Sequence, residues 1–188
     1  MTATTTSTDF STLTGTYALD TAHSRIGFVA RHAMVTKVRG SFNEFEGTTT
    51  IDGTNPENSN VSVTIKVESI DTRNAQRDGH LRTNDFLDLE NYPEIKFVST
   101  AITHEGGNDF QVTGDLTIKD VTKSITFPLE FQGSARDPFG NDRIGFEGSV
   151  VVNRKDWGIN FNAALETGGV LVSEKVTLEF ELSAVKTA

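Results

Sequence analysis

Apolar and polar residues alternate one by one along most of this chain, and that period of two decides which folds are open to it. Val61-Ser-Val-Thr-Ile-Lys-Val-Glu68 sets Val61, Val63, Ile65 and Val67 on one side. Ser124-Ile-Thr-Phe-Pro-Leu-Glu-Phe131 does the same with Ile125, Phe127, Leu129 and Phe131, and Arg25–His32 with Ile26, Phe28, Ala30 and His32. The stretch 143–153 aligns Ile144, Phe146, Gly148, Val150 and Val152; 169–184 aligns Val170, Val172, Val176, Leu178, Phe180 and Leu182. Successive side chains of a strand point to opposite faces, so each run is a strand with one face buried and one in water, as in antiparallel sheets.

The breaks carry turn chemistry. Gly106-Gly-Asn-Asp109 tolerates positive φ, Lys119-Asp120 leaves a two-residue loop, and Asp52-Gly-Thr-Asn-Pro56 and Asp137-Pro-Phe-Gly-Asn-Asp142 form longer turns. The spacing predicts eight strands, over about 16–32, 37–52, 60–70, 94–104, 109–119, 122–135, 142–154 and 169–184, in a sandwich or an up-and-down barrel. Pro128 removes a ladder donor and belongs at an edge or bulge. One segment, about 72–92, lacks the period of two. There Asn74–Arg82 and Phe86–Leu89 predict short helical turns, the second capped by Asn84 or Asp85, before Pro93 ends them. Such an insertion between two strands predicts a lid over one barrel end. Residues 1–14, mostly Thr, Ser, Ala and Asp, read as a flexible tail, and 15–188 as a single domain.

Composition works mainly by exclusion. Without cysteine there is no disulfide and no thiolate chemistry. A net charge of −9 with no local Lys/Arg cluster argues against a nucleic-acid partner, and disfavours docking to anionic membranes while keeping the chain soluble. No apolar run approaches the roughly 18 residues of a membrane span. The first ten residues have neither a basic nor an apolar signal region, so a cytoplasmic location is expected, an exported form requiring a leader already removed. His23 and Ser24 are neighbours in a strand and face apart, the four histidines are scattered, and no hydrolase, zinc or phosphate-loop motif occurs. The sequence thus predicts no catalytic residue, cofactor or metal.

Nine phrases, in this order, resemble the YceI family of bacterial lipid-binding barrels. They are Tyr17-Ala-Leu-Asp20 with His23-Ser-Arg-Ile-Gly-Phe28, Val38-Arg-Gly-Ser-Phe42, Ser69-Ile-Asp-Thr72, Arg77-Asp-Gly-His-Leu81, Asp85-Phe-Leu-Asp88, Tyr92-Pro-Glu-Ile-Lys-Phe97, Val112–Lys119 and Asn153-Arg-Lys-Asp-Trp-Gly-Ile159. The resemblance implies an all-β, eight-stranded antiparallel, lipocalin-like barrel with a deep apolar cavity. It further implies a long apolar partner such as a polyisoprenoid, an isoprenoid quinone or a fatty-acid-like lipid, held for carriage, storage or sequestration. Two departures stand out: many relatives carry a leader, and many have Gly at the Lys119-Asp120 turn, where Asp can adopt the left-handed conformation at modest cost.

The expected cavity lining is Ile26, Phe28, Ala30 and His32 from the first strand, Phe42 from the second, and Val63 and Ile65 from the third. Later strands add Phe97, Leu116, Phe127, Leu129, Phe131, Phe146 and Val150. Small residues opposite large ones (Ala30, Gly114, Gly148) would outline an elongated slot. The residues alone leave a filled core open, and it is the resemblance that points to vacant space. Two further readings stay open: an enzyme acting on such a lipid, or a filled-core interaction module. Among polar candidates, His32 would sit at the mouth, Arg77 and Arg82 would meet an anionic head group, and His80 would brace the lid. Trp157 would plug the closed end. A last hairpin centred near Ala163 sets Val152 opposite Glu174, so Arg154 and Glu174 are expected to point inward and pair. Monomer and dimer are both open.

Overall fold

The computed structural model describes residues 9–166 and 168–188. The first alternating run forms β1 (Gly15–Leu19) and β2 (Arg25–His32), separated where the Asp20 side chain accepts from the Ala22 amide and caps a short turn. The second forms β3 (Thr36–Phe42) and β4 (Phe45–Ile51), the third β5 (Asn60–Lys66) and β6 (Ile70–Asp71). Helix α1 (Ala75–Leu81) follows, then β7 (Glu94–Gly106), β8 (Asp109–Ile118), β9 (Val121–Arg136), β10 (Asp142–Asn153) and β11 (Lys175–Lys186).

Every pairing is antiparallel, and the ring β1-β4-β5-β7-β8-β9-β10-β11 closes through Tyr17↔Lys186 and Leu19↔Ala184. Because β2 pairs with β11 and β3, and β3 with β6, the short strands continue β1, β4 and β5 toward the other end. The architecture is the expected closed eight-stranded barrel, three of its strands being kinked. Closure removes the free edges that an open sheet would leave unpaired.

Four local expectations need correction. The last strand begins at Lys175, not 169, because Gly168 and Gly169 take left-handed φ of 87° and 90° and turn the chain first. In the two-residue loop the left-handed residue is Lys119 (φ 57°), not Asp120. Phe86–Leu89 forms turns without helix, and Asp85 bonds to His80 where a cap was expected. The flexible tail is too long by at least the stretch from Asp9 to Thr14. Phe10 is buried there against Phe110 and Phe131, each at 5.4 Å, and Tyr17 Oη donates to the Leu13 carbonyl. Residues 1–8 of that tail lie outside the described residues. Pro128 falls where its missing donor does least harm: the β9–β10 ladder runs from Arg136↔Asp142 to Leu129↔Gly148 and stops beside it.

Candidate functional site

The inner faces of the strands enclose a cavity of about 300 Å³ along the barrel. Its wall takes Ile26, Phe28 and Ala30 from β2, Phe42 from β3, Val63 and Ile65 from β5, Phe97 from β7 and Leu116 from β8. Strands β9 and β10 add Phe127, Leu129, Phe131 and Phe146. Twelve of the fourteen residues expected in the lining therefore face it, as the alternation within each unbroken stretch of strand dictates. His32 does not: β2 leaves the barrel beyond Ala30, and His32 is exposed in a bridge to Val172. Val150 packs on the core without reaching the cavity.

What keeps the axis open is the placement of rings. The Phe28 ring lies over Gly40 so closely that a Cβ there would stand 2.3 Å from Phe28 Cζ; Phe97 covers Gly114 likewise, at 2.4 Å. Phe127 meets Phe97 at 5.6 Å and Phe180 at 5.1 Å, across β8 and β10 respectively. These glycines do not themselves outline a slot, as expected of Gly114. They let phenyl rings lie flat against the wall instead of crossing the axis.

One end of the cavity is covered by Phe10 and Leu13, with Asp52, Gly53 and Pro56 of the β4–β5 loop beside them. The other lies under Leu81, Phe86 and Leu87 of the insertion, joined by Trp157, Ile159 and Val172 from the loop before β11. Trp157 is 2% exposed and its indole Nε1 donates to the Leu116 carbonyl at 2.9 Å. His80 lies outside the cavity. Its Nε2 is 2.8 Å from Asp85 Oδ2, and its ring stands edge-on to Phe86 and Phe161, tying the insertion to that loop.

The expected head-group arginines are committed elsewhere. Arg77 Nε donates to Thr72 Oγ1 and Nη2 to the Thr72 carbonyl, both at 2.7 Å, while Arg82 donates to the carbonyls of Glu68 and Ile70. Buried Asp78 accepts from the amide and hydroxyl of the same Thr72. Polar side chains here fasten the insertion.

The side chains of Arg154 and Glu174 do not pair, although the Arg154 amide donates to the Glu174 carbonyl at 2.9 Å. Residue 154 begins a 3-10 turn, and the true register is Val152↔Val176, two residues from the one expected. Buried Arg154 donates instead to the carbonyls of Ile159 (2.6 Å), Ser173 (2.8 Å) and Val172 (3.2 Å). Burial holds its guanidinium below the ordinary range, and the charge of Glu174 opposes that only in part. Glu174 turns outward to Lys155 Nζ at 2.7 Å, a contact that lowers its carboxyl.

Sequence reasoning, which sets the insertion over one barrel end, does not reach the lining by its Leu81, Phe86 and Leu87, by Ile102 or by Phe10. A bulge between Ser99 and Ala101 shifts the parity of β7 and brings Ile102 inside. Leu178, Phe180 and Leu182 also line the cavity, on the face that the alternation of the last strand sets inward. The few polar side chains in the lining, Thr49, Asp52, Ser59 and Arg154, stand near its ends. No group of three His, Asp or Glu among the described residues could hold a metal ion. The site can exclude water and offer hydrocarbon to hydrocarbon.

A family model described as the YceI-like domain matches residues 17–184. A UPF0312 protein of Photorhabdus laumondii is 43% identical over 157 residues, covering 82% of this chain and 80% of its own. The crystal structure of Burkholderia cenocepacia BcnA superposes with a TM-score of 0.77 at 26% identity, over 88% of this chain and 98% of that one. A polyisoprenoid binding domain from Saccharophagus degradans, implicated in plant cell wall breakdown, shares the fold at 17% identity. Its TM-score is 0.68, over 91% of this chain and 98% of the domain.

Proposed function

The chain belongs to the YceI-like family, and on that footing we propose that it binds one apolar chain molecule along the barrel axis, to carry or sequester it. The observation that carries this reading is the cavity of about 300 Å³ whose long wall is almost wholly aliphatic and aromatic. That volume reaches the range of small-molecule pockets, about 300–1,000 Å³. It is twice that of an engineered apolar cavity of about 150 Å³ that admits benzene, so the enclosed part of a guest is on the order of a dozen carbons. Two isoprene units fit that figure. The remainder of a longer isoprenoid or acyl chain, with its head group, would lie outside. Each buried CH₂ contributes about 0.8 kcal/mol before the costs of association are deducted.

Native mass spectrometry of gently purified protein, followed by organic extraction, tests the reading. A one-to-one adduct that extracts as a lipid supports it. A barrel that emerges empty and takes up neither prenyl nor acyl alcohols refutes it. Conversion of the bound molecule on incubation would replace carriage with catalysis.

A further inference from the structure

The hairpin between β2 and β3 projects from the end of the barrel that lies under the insertion. At its tip Met34 is 62% exposed and Val35 77%, and the neighbouring turn adds Val170 at 38%. The two turns are held together: Ala33 N donates to the Leu171 carbonyl, and the Met34 sulfur rests on Gly169, which has no Cβ to displace it. Of the other large exposed apolar residues, Val98 and Val151 lie on the outer face of β7 and β10, and Phe139 in the turn at the far end. The charge beneath the tip runs against that of the chain. From Arg25 to Asn43 there is no Asp or Glu, although the protein carries −9 overall. Arg31 and Lys37 are direct cross-strand partners, a like-charge arrangement that is unfavourable in water alone. Arg39 adds a third cation, 3.9 Å from Glu179; the neighbouring loop carries two acids, Glu166 and Glu174, the second of them already paired with Lys155 at 2.7 Å.

We infer that this hairpin docks the barrel end onto an anionic phospholipid bilayer, with Met34, Val35 and Val170 entering the interface and Arg31, Lys37 and Arg39 meeting lipid phosphates. Net charge does not decide the matter, because charges further away than about 10 Å are screened at 0.1 M salt. Juxtaposed cations and exposed apolar side chains are the two components of interfacial attachment. The inference rests on the apolar-guest reading for its purpose: Ala30 and Val172, just behind the tip, line the cavity. Docking would therefore set that end of the cavity against the bilayer, where the part of a guest too long for the barrel could remain in lipid.

Co-sedimentation of the full chain with vesicles of phosphatidylcholine and phosphatidylglycerol, against phosphatidylcholine alone, tests this at about 50 and 300 mM NaCl. The expected result is pelleting with the anionic vesicles only, weakened at high salt. It should fall at least tenfold in apparent affinity in Met34→Asp/Val35→Asp and in Arg31→Glu/Lys37→Glu, with unchanged circular dichroism. Equal behaviour with both vesicle types, or variants that pellet like the wild type, overturns it. So does a lipid-free dimer, seen by light scattering, that the same substitutions abolish, for then the hairpin serves a second copy. Uptake of a fluorescent fatty alcohol in lipid-free buffer is measured in parallel. If uptake fails while pelleting persists, the guest reading is lost and the docking stands.

Discussion

The indole Nε1 of Trp157 donates to the carbonyl oxygen of Leu116 at 2.9 Å, joining the turn after β10 to the end of β8 across 41 positions of sequence. The ring is almost fully buried and lines the cavity at that end, so one side chain both packs the barrel end and fixes the loop that follows it.

Removing that ring is expected to be severe. Trp157→Ala should lower stability by about 3–5 kcal/mol, as large aromatic-to-alanine changes in cores do. Trp157→Phe keeps most of the packing but removes the indole donor from the Leu116 carbonyl, a single hydrogen bond worth about 0.5–1.5 kcal/mol. Urea unfolding of the two variants separates the packing contribution from that of the hydrogen bond.

Gly40→Val is predicted to abolish guest uptake without unfolding the barrel. The three atoms nearest to a Cβ at residue 40 all belong to the Phe28 ring, so the ring must swing off the wall and into the axis. Affinity for a fatty alcohol should drop more than tenfold while the circular dichroism spectrum persists. Retention of wild-type affinity would mean that the ring has somewhere else to go.

The barrel and twelve lining residues were legible because a period of two leaves no choice of face once a strand is uninterrupted. The rest depended on geometry that periodicity does not encode. A single extra residue near Ser99–Ala101 turned Ile102 inward, and a hairpin centre misplaced by one residue displaced the Arg154–Glu174 register by two. Phe10 carries no periodic signal, being one aromatic among hydroxyl residues, yet it is buried against three other rings and anchors the segment around it. Arg77 and Arg82 have the composition of an anion site, but carbonyls within reach took their donors first.

Arg154→Met is expected to loosen the loop before β11 selectively. It removes the donor shared by the carbonyls of Ile159, Val172 and Ser173, a loss of about 2–5 kcal/mol with partial access of water. Hydrogen exchange should accelerate at the Leu171 and Val172 amides, which bond to Ala163 and Asn162, and stay unchanged in β8. Uniform acceleration throughout would show a global effect instead.

Acid should weaken the opposite end. Arg143 donates to Asp20 Oδ2 at 2.6 Å and to Asp137 Oδ2 at 2.7 Å, holding both carboxyls below their ordinary values, with His23 assisting at Asp20. A carboxyl whose folded value is depressed stabilises the fold above its unfolded value, near 3.9, and loses that contribution as pH falls toward the folded one. Arg143→Gln should therefore unfold at lower urea than wild type at pH 7, with the gap closing between about pH 4 and pH 2. A gap independent of pH would place the effect in packing.

The vacancy itself is tested most directly by calorimetric titration with straight-chain alcohols of increasing length. A hollow barrel predicts one site whose affinity rises about fourfold per added CH₂, the equivalent of about 0.8 kcal/mol, until the chain reaches on the order of a dozen carbons, and then levels off. Absence of binding, or an affinity indifferent to chain length over that range, would contradict it.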